Sequence, residues 1–163
     1  SGVPRSSPYP WRMVQASTHQ APSLIFILFE GNIHSYRQIF MDGREHPPAD
    51  ELVTTWFGHS TGKWEGDTLV VDTTNFPQQQ PFRGSWENLH VVERFRRVDA
   101  TTVLYRFTVD DKDTFTAPFT GEIPFKAMNE PIYEYACHEG NYALANVLSG
   151  ARNEEKRNST KQQ

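Results

Sequence analysis

Titratable side chains lie beside aromatic ones along most of this chain, and the histidines raise the first chemical question. Of six, His34, His59, His90 and His138 fall on or beside segments that read as strands. A curved sheet would bring their imidazoles together even though their spacing along the chain does not. Two or three of them with Glu93, Glu30 or Asp72 would form a nitrogen and oxygen site for a divalent metal. The metal-free arrangement takes His90 or His34 as general base, oriented by Asp72 or Glu93, with Arg37 or Arg94 holding a developing oxyanion. Glu93 also has a plainer role open to it, pairing with an arginine across strands. Trp56, Phe57, Trp64 and Phe76 offer an apolar floor for a ligand, to which His59, Tyr133 and His138 add polar contacts. Core packing competes for at least two of those aromatics.

No phosphate-binding loop, HExxH pair or dinucleotide fingerprint is present. The chemistry these residues offer is therefore acid–base work on a small organic molecule, of lyase, isomerase or hydrolase type. No cofactor is called for, and a divalent metal belongs only to the histidine-cluster alternative. Two other readings stand beside the enzyme: a carrier that holds an apolar ligand unchanged, and an interaction protein that forms a homo-oligomer through an exposed edge at 114–128.

The elements that must position these residues read as strands almost throughout. Everything is organised around the stretch 56–76, where β-like runs at 54–60 and 68–75 are joined by Thr61-Gly62 and Gly66-Asp67, pairs suited to tight turns. Before it come an extended segment at 1–10, alternation from Trp11, an apolar run at 24–29 that reads as a strand buried on both faces, and a strand at 33–41 closed by Asp42-Gly43. The charged, proline-containing loop at 44–51 reads as solvent-facing, and 77–86 as a long loop able to act as a flap. The runs 89–98 and 102–110 form the clearest hairpin. A three-residue loop sets Val98 opposite Thr102, Phe95 opposite Tyr105 and Glu93 opposite Phe107, which points Glu93 into the apolar layer. An irregular or edge strand at 114–128, a last strand at 131–137 and a helix capped by Asn141 follow, with Gly150 ending or weakening the helix. The expected organisation is a single domain at 11–151, an antiparallel β-barrel of calycin or lipocalin type with one C-terminal helix, then a polar tail at 152–163.

Composition narrows the partners. A chain of 163 residues is about one domain long, and its net charge of -4 with no long basic run argues against nucleic acid. The run 24–29 is far short of the ~20 residues of a membrane-spanning helix. Cys137 is the sole cysteine, which excludes an intrachain disulfide and a cysteine-based zinc site. The chain opens on Ser1-Gly2 without methionine, as a mature or trimmed product would.

Four strings in order, Asp42-Gly43-Arg44, GHSTGKWEGDTLVVDT at 58–73, HVVERFRR at 90–97 and YEYACHEGNY at 133–142, resemble a large uncharacterised family of small, often exported bacterial β-proteins. The resemblance covers well over half the chain. It implies a periplasmic or secreted location and a calyx-like barrel, and brings no established activity with it. His138, Glu139 and Tyr142 lie in the string that varies among such proteins.

Overall fold

A computed structural model describes residues 9–18, 21–31, 36–48, 51, 55–79, 81–134 and 140–160. Eight strands follow one another in the order in which they pair: β1 (Trp11–Thr18), β2 (Ala21–Phe29), β3 (Tyr36–Phe40), β4 (His59–Glu65), β5 (Thr68–Thr74), β6 (His90–Asp99), β7 (Thr102–Asp110) and β8 (Phe119–Lys126). The sheet curls into a half-barrel with β1 and β8 as its edges. Trp11 on β1 meets Phe125 on β8 edge-to-face at 5.1 Å and Phe95 on β6 at 6.2 Å, so the curl brings both edges over the same apolar layer. All pairings are antiparallel except one. β3 and β4 run parallel, with Ile39 opposite Ser60 and Phe40 opposite Thr61.

That exception positions the site. Consecutive parallel strands need a connection that returns along the sheet rather than a tight turn, and residues 41–48, 51 and 55–58 are its described parts. The turn expected at Thr61-Gly62 is instead mid-strand in β4, and only Gly66-Asp67 turns the chain into β5. Gly62 sits there because of close packing: a Cβ would lie 2.5 Å from Met41 Sδ and 2.8 Å from Ile39 Cγ2.

Period-two alternation divides the sheet into a concave inner face and a convex outer one. Ile25, Ile27, Ile39, Leu69, Val71, Phe95 and Tyr105 form the inner core. The apolar run of β2 is buried on one face only: Ile25 and Ile27 enter the core, while Leu28 is exposed on the outer face, where Phe26 packs edge-to-face on Tyr36. The β6–β7 hairpin has the expected pairs Phe95–Tyr105 and Glu93–Phe107, and Glu93 is buried. Its end differs, because Asp99 rather than Val98 pairs with Thr102 and a bulge absorbs the extra residue. Asp99 Oδ1 accepts from the Thr101 amide at 2.7 Å, which closes the turn.

The loop read as a flap is tied down. Phe82 and Ser85 bridge each other, the Ser85 hydroxyl donates to Asp111, and Phe82 packs on the second apolar cluster of Phe76, Leu89, Val91 and Val109. No strand forms at 131–134, and the rest of that expected strand lies outside the described residues. The segment 134–163 is a separate compact unit. Its helix α1 (Ala143–Thr160) starts where Asn141 Oδ1 accepts from the Ala143 amide at 3.0 Å. It runs through Gly150 to Thr160, so most of the polar stretch expected to be a tail is helical, with every described residue exposed.

Candidate functional site

Four titratable side chains meet on the outer face of β4, β5 and β6. His59, Asp72 and His90 each neighbour an inward residue, Ser60, Val71 and Val91 respectively, and alternation turns all three outward. The β3–β4 connection lays His46 on top of them. Gly58, at φ 71, makes the bend that delivers His59: a Cβ at that position would lie 2.5 Å from the Thr74 carbonyl oxygen. The ring of His59 stacks on Phe40 at 5.2 Å, and the Arg44 guanidinium covers the same Phe40 ring at 4.0 Å.

The contacts form one chain. His46 Nδ1 lies 2.8 Å from His59 Nδ1, His46 Nε2 lies 3.0 Å from Asp72 Oδ1, and His90 Nε2 lies 2.9 Å from both Asp72 oxygens. Asp72 sets the direction of every proton. Burial works against its ionisation, yet hydrogen bonds from His46 and His90 and the charges of those rings hold its carboxyl well below the usual range. An ionised carboxylate only accepts, so His46 and His90 both donate to it from Nε2. With its proton on Nε2 alone, His46 presents a lone pair at Nδ1, to which His59 donates from Nδ1. His59 Nε2 is left as an outward lone pair and His90 Nδ1 as the other outward ring nitrogen. Among the described residues neither of these two atoms has a hydrogen-bond partner.

The two end rings are pushed apart in basicity. Burial lowers the pKa of His59, and the charges of His46 and Arg44 lower it further. The hydrogen bond to Asp72 raises that of His90 against partial burial, helped by the charges of Asp72 and of Asp110, its cross-strand partner. One ring made less basic and one made more basic thus lie at the two ends of the chain through His46 and Asp72, the kind of environmental separation from which acid and base roles are assigned.

A second polar cluster lies on the inner face. The Arg37 guanidinium grips Glu93 with both terminal nitrogens, Nη1 to Oε1 at 3.0 Å and Nη2 to Oε2. It also donates from Nε to Ser60 at 3.1 Å and from Nη2 to Thr73 at 2.7 Å, and Tyr105 donates to Glu93 Oε1 at 2.9 Å. Burial, with the Glu93 carboxylate beside it, drives the Tyr105 pKa far upward, so the hydroxyl remains a donor.

The residues singled out in the sequence therefore separate. Asp72, His90 and His59 come together. Arg37 and Glu93 pair with each other on the opposite face, and Arg94 donates to Glu65 at 2.8 Å on the exposed surface. Trp56 and Trp64 are exposed, Tyr133 is exposed with its amide on Glu30 Oε2, and Phe76 is buried in the second apolar cluster. His34 and His138 lie outside the described residues. His46 and Arg44 are the members without a signal in the sequence; the parallel β3–β4 pairing carries them from a proline-rich loop onto the outer face. Among the described residues no group of three or more His, Cys, Asp or Glu side chains is placed to hold a metal ion. No helix among them is long and apolar enough to cross a membrane. Comparison with protein-family models, with curated proteins and with solved structures finds no match to this chain.

Proposed function

We propose that the protein is an enzyme that acts on a small organic molecule by acid–base chemistry, of lyase, isomerase or hydrolase type, at the outer-face cluster. The observation that supports this reading is the directed chain from His59 through His46 and Asp72 to His90. His59 accepts a substrate proton at Nε2, and its Nδ1 proton can move to His46 Nδ1, which places the new positive charge against Asp72. The imidazolium of His90 donates a proton from Nδ1 to the leaving or rearranging group, and solvent restores both rings. Arg44, already close enough to act electrostatically on His59, takes the place proposed from sequence for Arg37 or Arg94 as the holder of a developing oxyanion.

The experiment is a turnover screen over small esters, hydroxy acids and enolisable ketones, followed by His59→Asn, Asp72→Asn and His90→Asn on whatever is turned over. Each substitution is expected to lower kcat/KM by about 10²–10⁴-fold. Full turnover in all three variants would sink the proposal.

A further inference from the structure

The open seam between the two sheet edges holds a cavity of about 650 Å³, within the usual range for one small ligand. Its apolar wall is Trp11 and Met13 of β1 with Phe125 of β8, and the Trp11 and Phe125 rings meet edge-to-face at 5.1 Å. Charge around it is inverted relative to the whole protein. Among the described residues, Arg12, Arg97 and Lys126 line it against one acidic side chain, Glu130, in a chain whose net charge is -4. Lys126 is partly engaged, donating to Thr102 at 2.6 Å and acting on Asp99 by its charge. Among the described residues, Arg97 has a 3.4 Å contact with the Ala100 carbonyl as its sole hydrogen bond. His90 and Arg97 stand seven residues apart on β6, about 23 Å at the rise of an extended strand, so this cavity is distinct from the histidine cluster.

We propose that this seam binds an amphipathic carboxylate, its alkyl or aryl body against Trp11, Met13 and Phe125 and its anionic head on Arg97, with Arg12 and Lys126 adding to the positive field. An apolar wall with a rim of one charge sign selects for such a molecule, because a head group left in the apolar part would lose its hydration without a partner. The acid–base reading neither requires this site nor is required by it.

Isothermal titration of the full chain with decanoate, decanol and decyltrimethylammonium tests it. Saturable one-to-one binding of decanoate is expected, with decanol at least about 10-fold weaker and no binding of the cation, as a charge-assisted contact predicts. Arg97→Gln is expected to weaken decanoate by about 10-fold and leave decanol unchanged. Arg106→Gln removes the same charge from an exposed position outside the cavity and should alter neither. Val103→Trp, which fills the cavity from its wall, should abolish binding of both, with thermal melting confirming that each variant is folded. Equal affinity for decanoate and decanol overturns the anion assignment. Binding that survives Val103→Trp, or no saturable binding of any probe to the folded protein, overturns the site.

Discussion

Replacing Glu93 by leucine should be among the most damaging single changes in this sheet. Arg37 is 1% exposed, and Glu93 is the carboxylate that its guanidinium grips with both terminal nitrogens, Ser60 and Thr73 adding only neutral hydroxyls to that pairing. Removing one member of a buried pair costs about 3–5 kcal/mol, against a whole-domain stability of about 5–15 kcal/mol. At about 2–4 °C per kcal/mol for a chain of this size, the melting temperature should fall by about 6–20 °C. The double change Arg37→Met/Glu93→Leu removes the stranded charge and should recover most of the loss, because apolar replacement of both partners is often neutral. It still strands the Tyr105 hydroxyl, worth about 1–3 kcal/mol, so adding Tyr105→Phe should recover more. The expected order of stability is single, double, triple, from lowest to highest. Urea unfolding followed by tryptophan fluorescence, which reports on the sheet through Trp11, measures it. A Glu93→Leu protein within about 1 kcal/mol of the parent, or a double variant no more stable than the single one, would refute the argument that the inner cluster is held by mutual pairing.

The outer cluster makes further predictions. His90 has a folded pKa raised from 6.5, so its contribution to stability is fully present below 6.5 and is lost as pH rises through the raised value; His59, lowered from 6.5, contributes above 6.5 and loses that contribution as pH falls through the lowered value. Thermal melts across about pH 5–8 should therefore show greatest stability near the middle of that range, with His90→Asn flattening the alkaline limb and His59→Asn the acid limb. On any substrate found, kcat/KM should follow a bell whose acid limb belongs to His59 and whose alkaline limb belongs to His90; a profile with no alkaline limb would remove His90 as the acid. Asp72→Asn should move the His90 titration, read from its ring protons by NMR, downward, and an unmoved titration would deny the coupling. Gly58→Ala sets a Cβ against the Thr74 carbonyl at a positive φ, and should cost about 1–3 kcal/mol and displace His59 from His46.

Much of the fold was legible because the strands obey simple alternation. The pairing of Phe95 with Tyr105 and of Glu93 with Phe107 followed from the residues alone, and so did the arginine partner of Glu93, though not which arginine it is. What failed was where one residue type has two meanings. Glycine beside threonine reads as a turn at Gly62, whereas here it makes room for Met41 and Ile39 within a continuous strand. His46 follows the charged pair Arg44-Glu45 and precedes Pro47-Pro48, a composition that reads as solvated loop, and only the parallel return from β3 to β4 brings it over Asp72.

The candidate site itself was partly readable from parity. His90 and Glu93 are three residues apart on one regular stretch of β6, an odd separation that places them on opposite faces, so they could never have served one another as base and partner. Asp72 sits between Val71 and Thr73, both buried, and shares the outward face with His90 across the β5–β6 ladder. The same rule assigns Arg37 to the inner face with Ile39, which removes it from the histidines and gives it to Glu93. Alternation therefore distributes the polar groups by role. The inner set is matched donor to acceptor and shut from water, which suits it to fixing the curvature of the sheet. The outer set is half-exposed and ends at both sides in a ring nitrogen that has no partner among the described residues, which is what a group must retain if it is to take a proton from another molecule or give one up.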